Sequence, residues 1–582
     1  MSSKEATRRR SHRGRTRLLL AVAIGFVLWW LNQTIAQWSD RTWVFTSAVA
    51  FIFLLILLAA WALSAAGPPL YRFVRSVARS TWAGASADPE VRAFAESHPR
   101  LSAWLVRRTT LSAWSGIYLT LSTVAVVYFL FNFVSIARRA SATSILTAYD
   151  NQISALLRAF RTPNLTRILW FFTVLGDPRV AFSVTAIVVL LLLLWGRRLD
   201  ALLVTAAVAG GALLGEVAKL VFHKSRPDAA LALIKSPSSF SLPSGHALYA
   251  LLFWGAVGYL LVRTATTTFR KVAVFVACAT VVVMTGLSRI YLGVHWPSDV
   301  LASWMLALAW LSACVGAYLM WQRYGTSIDG RPVGTPTVRW GATTGAVLLV
   351  AVAVIVGASA DPILKKVVAS PPTVVWKTSI DPSRLPQPTP EQAQTLPHVS
   401  QKLDGTPQAP IGLIFVGSER DLVDEFTKAG WSVADKPSPR SLLRALVTAY
   451  SDQPYPTAPV TPSFLNGRVE DIAFEKPEGP VTVRRRHHSR WWKTDFTFQG
   501  RPVWVATASF DESLGVASTI PILTHHISPN IDAEQRYIAQ DLKTEGATIS
   551  SRVRVSPPAA GTNAGGDQWF TQGLATVLVG AR

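Results

Sequence analysis

The sequence predicts an all-α polytopic membrane protein of about nine spans, followed by an extracytoplasmic α+β domain. Three observations carry that prediction. Half of the 582 residues are apolar and 22 are Trp, yet the formal net charge is +23, a combination that soluble chains seldom show. The apolar residues gather before about residue 360, in runs long enough to cross a bilayer at roughly 20 residues each. Lys and Arg are shared unevenly among the loops between those runs, and this sets the orientation.

In chain order, residues 1–17 form a basic tail holding Lys4, Arg8, Arg9, Arg10, Arg13, Arg15 and Arg17, which places the N-terminus in the cytoplasm. Residues 18–136 follow, with spans at 18–37, 43–67 and 112–136 and an Arg-rich cytoplasmic loop at 68–111. No small-x-small cleavage site follows the first run before Trp38, so that run reads as a retained anchor. The membrane core, 140–321, holds spans at 178–196, 201–221, 246–263, 272–288 and 297–321, and a last span covers 338–358. One loop disagrees with the count: Arg138, Arg139, Arg158, Arg161 and Arg167 fall outside, and 144–161 reads as an amphipathic surface helix with its arginines at lipid headgroups. Cys278 and Cys314 lie inside spans without a Cys or His at metal spacing, and read as packing residues.

Nine spans from a cytoplasmic start leave the C-terminus outside. Residues 361–410 are rich in Pro, Gln and Thr and read as a linker. An α+β domain is expected at 411–545: a buried strand in "IGLIFVG", a helix capped by Ser418, a second helix in "PRSLLRALVTAY", and strands in "VEDIAFEK", "TDFTFQG" and "RPVWVATASF", the last two joined by a turn at Gln499-Gly500. A flexible Gly/Ala/Ser-rich tail is expected at 556–582.

Three strings in the membrane core carry chemistry, and the same Lys/Arg count places all three outside. Lys219-x6-Arg226-Pro227 puts two cations two helical turns apart, before a proline that stops the helix. Together they suit a phosphate, although interfacial lysines and arginines also snorkel. Pro243-Ser244-Gly245-His246 opens a span, where free amides and a bare glycine make an anion site beside an imidazole; a plain capped helix would read alike. Ser288-Arg289-x5-His295-x3-Asp299 sets a carboxylate beside an imidazole at a helix start. The carboxylate can hold one ring nitrogen and free the other to attack, or the two can be a structural pair.

The three strings, in this order, resemble the signature of the type 2 phosphatidic acid phosphatase superfamily, and every signature position matches across about 140–310. The resemblance implies a six-helix phosphatase core working without a metal or other cofactor. It implies that His295 is the nucleophile and forms a phosphohistidine, that Asp299 orients it, and that His246 is the general acid. Lys219, Arg226, Ser244, Gly245 and Arg289 would bind the phosphoryl oxygens. The expected partners are the lipid bilayer and a lipid phosphate or diphosphate, such as phosphatidic acid, phosphatidylglycerol phosphate or a polyprenyl diphosphate. A phosphotransferase of the same superfamily and a non-enzymatic lipid-handling module are the rival readings. A haloperoxidase is disfavoured, because those relatives are soluble.

The C-terminal domain resembles the LssY carboxy-terminal family in "RRRHHSRWW", "VWVATASFD" and "THHISPNIDAEQRYIAQDL". Its His487, His488, Asp511, His525, His526, Asp532 and Arg536 are a candidate polar set, and Arg484–Arg486 with Trp491/Trp492 a candidate phosphate or glycan surface. Nucleic acid is not an expected partner of a domain outside the cytoplasm. The sequence fixes no oligomeric state.

Overall fold

The computed structural model describes residues 87–109, 117–141, 144–324, 398–436, 453–478, 485–516, 523–563 and 566–580, with scattered residues between 76 and 84 and between 441 and 448. The expected spans at 18–37, 43–67 and 338–358 lie outside them, as does most of the expected helix in "PRSLLRALVTAY".

Two short helices, α1 (Pro89–Ser97) and α2 (Pro99–Thr109), precede the membrane core. The core contains α3 (Ile117–Ala140), α4 (Ile145–Ala159), α5 (Pro163–Leu175), α6 (Pro178–Leu194), α7 (Arg198–Phe222), α8 (Gly245–Thr264), α9 (Thr268–Tyr291) and α10 (Pro297–Tyr324). Among the described residues five of these are long and apolar enough to cross a membrane, and α5 and α6 pass that test only as a pair, bent by 50° into a broken span or a re-entrant loop. Each half of the bent pair has its own start signal. Thr162 and Asp177 cap the two helices, and a proline follows each cap. Within α7 the turn at Ala206–Gly210 is π-helical, and Trp310 of α10 donates its indole N–H to the Ala206 carbonyl (3.0 Å). The expected spans from 112–136 to 297–321 thus coincide with α3 and α6 to α10.

α4 forms where an amphipathic helix is expected, capped by Ser144, and part of its surface packs on protein. It buries Asp150, Gln152 and Ser154. Arg158 donates to the Gly467 carbonyl (3.4 Å), and Arg161 to the carbonyls of Leu231 (2.9 Å) and Tyr291 (2.8 Å). Two of the five arginines that disagreed with the loop count therefore bond protein carbonyls, because an arginine can satisfy several backbone acceptors at once.

The C-terminal domain is built on an eight-stranded sheet in the order β11-β14-β3-β9-β8-β7-β4, with β10 pairing β9. Its strands are β3 (Leu413–Val416), β4 (Ser432–Val433), β7 (Ile472–Pro477), β8 (Arg486–Phe498), β9 (Arg501–Val516), β10 (Leu523–Ile527), β11 (Thr548–Arg554) and β14 (Leu574–Val579). α11 (Glu419–Lys428) carries the expected Ser418 cap, reinforced by Asp421. The β8–β9 hairpin turns at Gln499 and Gly500, whose φ values of 51° and 77° are the left-handed ones that such a turn requires. α12 (Ile531–Thr544) and α11 cover one sheet face over Phe415, Phe426, Phe474, Trp491 and Trp504. The opposite face buries Ile414, Leu465, Trp492, Val505 and Val577. A four-stranded sheet of β1 (Val399–Gln401), β2 (Pro407–Pro410), β5 (Phe464–Leu465) and β6 (Arg468–Val469) lies on that side, and β12 (Ala559–Thr562) pairs β13 (Gln568–Thr571).

Two expected boundaries are corrected. Strands β1 and β2 draw residues 399–410, assigned to the linker, into the domain. The expected flexible tail at 556–582 contains β14, which lies between β11 and β3 with Ala575 and Leu578 fully buried. Gly, Ala and Ser dominate the start of that segment and hid the apolar run "LATVLV" at its end. A chain ending after Val555 should therefore lose the near-ultraviolet circular dichroism of its buried tryptophans and become protease-sensitive from about 398 onward. A truncated domain that melts like the full chain would contradict the placement of β14.

Candidate active site

The three strings come together at one end of the helical core. The chain after α7 turns at His223, whose left-handed φ of 46° ends the helix at Phe222. This corrects the expectation of Lys219 and Arg226 on one helix face stopped by Pro227: Arg226 reaches the site from the loop. Lys219 stays in the last turn of α7, paired with Glu216 at 2.8 Å.

Arg226 is a clamp. Its guanidinium donates to the carbonyls of Ser239 (2.7 Å), Phe240 (3.2 Å) and Val294 (2.8 Å), and to the Ser239 hydroxyl (3.1 Å). The same Nη1 lies 3.1 Å from His295 Nε2. A guanidinium can only donate, so Nε2 is the unprotonated nitrogen and Nδ1 carries the proton. Nδ1 faces Asp299 Oδ2 at 3.5 Å and the Ser241 hydroxyl at 3.4 Å. Burial pushes His295 down to about 4, against the opposing pull of Asp299, so the imidazole is uncharged at neutral pH. An uncharged imidazole with a fixed tautomer keeps a basic lone pair on Nε2, the chemistry that a nucleophilic histidine needs.

Around it stand donors that the protein does not satisfy. Ser244 is fully buried at the start of α8, and its hydroxyl has no hydrogen-bond partner among the described residues. Arg289 is 3% exposed; Nη1 donates to Thr173 Oγ1 at 2.7 Å, while Nε has no partner. Buried donors without partners are costly and call for an acceptor from outside the chain. A Cβ at Gly245 would meet only the Tyr249 ring, at an ordinary 3.4 Å, so the protein itself leaves room there. His246 Nε2 lies 3.7 Å from Asp177 Oδ2 in the bend between α5 and α6. The bend approaches that closely because Gly176 lacks a side chain: a Cβ would sit 2.3 Å from Thr285 Cγ2 and 3.0 Å from the His246 carbonyl.

Behind His295 lies a charge cluster that the three strings do not announce. Lys224 Nζ is 3.0 Å from Asp299 Oδ1, 2.9 Å from Asp150 Oδ2 and 2.6 Å from Ser298 Oγ. Asp150, on α4, also accepts from the Ser298 amide (2.8 Å) and hydroxyl (2.5 Å). Asp299 Oδ2 accepts from the Ser241 hydroxyl and from the Trp296 amide (2.9 Å). Lys224, Asp150, Ser298 and Asp299 are all buried. One signal for Lys224 was available: a lysine two residues before Arg226, inside the first string. Asp150 gave none beyond a carboxylate in an amphipathic helix.

The C-terminal domain rests on α4. Gln152 Nε2 donates to Gln401 Oε1 at 3.0 Å, beside the Arg158–Gly467 contact. Between them is a cavity of about 760 Å³ lined by Asn151, Arg158, Trp296, Lys436 and Arg468. Trp296 neighbours His295 in sequence and links to the first string through its indole N–H on the Ser225 carbonyl (3.0 Å).

The candidate polar set of this domain is split. His487 pairs with Glu534 (2.9 Å), His526 with Asp567 (2.6 Å), and Asp532 accepts from Thr571 (2.6 Å) and the Gln572 amide (2.8 Å). His488, Asp511 and His525 do share one place. The expected surface on Trp491/Trp492 is corrected: both indoles are buried, one on each face of the sheet, as strand alternation requires.

Two family models match this chain: the PAP2 superfamily over residues 200–323, and the LssY C-terminus over 393–574. Phosphatidylglycerophosphatase B of Bacillus subtilis is 31% identical over 180 residues, which are 31% of this chain and 88% of that relative. An undecaprenyl-diphosphatase of Sulfolobus acidocaldarius is 31% identical over 187 residues, covering 84% of its length. The crystal structure of a transmembrane PAP2 type phosphatidylglycerolphosphate phosphatase from Bacillus subtilis aligns with 34% of this chain and 98% of its own, at 28% identity and a TM-score of 0.32.

The charge cluster makes a signed prediction. Removing the Lys224 charge leaves Asp150 and Asp299 unbalanced, which favours the imidazolium of His295. Lys224→Met should therefore move the acidic limb of kcat/KM to higher pH, and Lys224→Arg should move it back. Asp150→Asn removes a negative charge and should move the limb the other way. Limbs that stay fixed while only folded yield changes would make the cluster purely structural.

Proposed function

Since the chain belongs to the PAP2 superfamily and ends in an LssY C-terminus domain, we propose that it is an integral membrane phosphatase acting on a lipid phosphate or diphosphate through a phosphohistidine. The observation that carries this reading is the meeting of an uncharged, tautomer-fixed His295 with partnerless buried donors on Ser244 and Arg289. Those donors suit the oxygens of a phosphoryl group, whose charge grows and spreads as the transition state forms. His295 Nε2 attacks phosphorus in line, and the P–O bond to the lipid breaks. His246, across the site beside Asp177, gives the leaving oxygen its proton. Water then attacks the phosphohistidine, with His246 taking the proton back, and inorganic phosphate leaves. Arg226, held by three backbone carbonyls, moves little, and as the Nε2 lone pair engages phosphorus its Nη1–H passes to an adjacent phosphoryl oxygen. Lys219 and the amide of Gly245 complete the oxyanion set.

The named relatives act on a phosphatidylglycerophosphate and an undecaprenyl diphosphate, and both chemistries fit a site at the end of a helix bundle, where the lipid chain stays in the bilayer. The reaction needs no metal, since fixed cations neutralise the phosphate. The site opens on the extracytoplasmic face, as the Lys/Arg distribution of the loops supports, and the C-terminal domain sits on the same side because it rests on α4 beside the third string.

Purified full-length protein in detergent, screened for phosphate release over a panel of lipid phosphates, tests the reading. Release should persist in chelator and be inhibited by vanadate, whose adducts resemble the transition state. His295→Ala should lower turnover by at least about a thousandfold. His246→Ala should recover on substrates with better leaving groups, since a weakly basic oxygen needs no acid. Release that is restored only by magnesium, or only by an added hydroxyl acceptor, would overturn the metal-free hydrolase in favour of another chemistry.

A further inference from the structure

The face of the C-terminal sheet opposite α11 and α12 changes character along its length. On β8, Trp492 is followed on the same face by Arg490, His488 and Arg486; on β9, Val503 and Val505 give way to Thr507, Ser509 and Asp511. Cross-strand register pairs Arg486 with Asp511 and His488 with Ser509. All these polar residues are at least nine-tenths buried. Arg486 binds Glu475 (2.7 Å) and Asp511 Oδ2 (3.0 Å), which explains one arginine and one side of Asp511. The rest is met only in part: His525 Nδ1 lies 3.7 Å from Asp511 Oδ2. Asp511 Oδ1 and His488 Nδ1 lie 3.3 Å apart without the alignment of a hydrogen bond, and neither atom has a hydrogen-bond partner. Arg490 spends Nε on the Thr461 carbonyl (3.0 Å) and Nη1 on His488 Nε2 (3.0 Å). These groups line a cavity of about 50 Å³, with His525, Gln408 and Asn563 at its other walls. That is several times the space one water needs, and suits a group of a few heavy atoms.

Arg490, through its remaining Nη2, and His488, through Nδ1, offer donors to an anion, while Asp511 Oδ1 asks for a donor. A plain oxyanion meets only the first demand. Hydrogen phosphate meets both, because it carries P–O acceptors and one P–OH. We infer that this cavity is a binding site for a hydrogen-phosphate group, either inorganic phosphate or a phosphate monoester, with its hydroxyl on Asp511 and its oxygens on Arg490 and His488. The site lies on the β-sheet of the C-terminal domain, shares no residue with the membrane site, and stands whether or not the phosphatase reading does. Sulfate, which has no proton at neutral pH, is the informative competitor: a buried carboxylate left facing a sulfate oxygen repels it, and sites built to accept a hydrogen bond reject analogues that lack the donor.

The test uses the full-length chain in detergent with His295→Ala, so that nothing is turned over. Equilibrium dialysis with labelled inorganic phosphate should show one more phosphate per chain than the same protein carrying Arg490→Met. Sulfate should displace that phosphate only at concentrations about tenfold higher or more. Asp511→Asn, which exchanges the acceptor for an amide that can donate, should erase the preference for phosphate over sulfate. This second variant decides the matter if Arg490→Met does not fold. Displacement by dihexanoyl phosphatidic acid would name the monoester as the source, and no displacement would name inorganic phosphate; either upholds a hydrogen-phosphate site. Equal phosphate stoichiometry with and without Arg490, or sulfate and phosphate binding alike to the chain with Asp511 intact, would overturn the proposal and leave a structural ion cluster only.

Discussion

The buried contact between Lys224 and Asp299 is the constraint on which the rest of the site depends. Asp299 has to stay charged to hold the Nδ1 proton of His295, yet it is fully buried. An isolated carboxylate there would be expensive or would take up a proton. Lys224 at 3.0 Å, the Trp296 amide and the Ser241 hydroxyl supply the compensation. Lys224 is itself buried, so Asp150 is needed in turn, and Asp150 comes from a helix some 75 residues earlier in the chain. Breaking such a cluster by removing one partner costs about 3–5 kcal/mol in typical proteins. The cluster therefore ties α4, the loop after α7 and the start of α10 into one unit behind the nucleophile.

That tie gives α4 a double role. One side of it presents Asp150 to Lys224 and Ser298 beside Asp299, and another carries Gln152 and Arg158 to the C-terminal domain. Any shift of the domain on α4 bears on the same helix that fixes the charge behind His295. The chain thereby joins its two family modules through a shared structural element as well as through the covalent linker.

Much of this was legible in the sequence, for physical reasons that differ by element. The membrane helices α3 and α6 to α10 were readable because a bilayer demands long apolar runs. That His295, Asp299, His246, Ser244 and Arg289 lie close together was readable, because they sit in short strings at helix ends. Lys224 and Asp150 were not, since their partnership spans 74 residues and exists only after folding. α4 gave its periodicity but not its protein contacts through Asp150, Gln152 and Arg158: an amphipathic helix reports two faces without saying what meets them. β14 was missed because its apolar run is short and follows a Gly-rich stretch, and a strand that completes a parallel pairing with a distant β3 has no local signal. Trp491 and Trp492 looked like a surface because adjacent aromatics in a basic segment resemble a binding patch, whereas two buried sheet faces each took one indole.

The account stands on His295 as the atom donor to phosphorus. Rapid acid-free quenching of the full-length enzyme with a lipid phosphate labelled in its phosphoryl group tests this directly. The account predicts a phosphoenzyme that survives alkali, is lost in acid, and maps by mass spectrometry to His295. Label recovered on another residue, or turnover with no phosphoenzyme at any quench time while substrate is consumed, would contradict it.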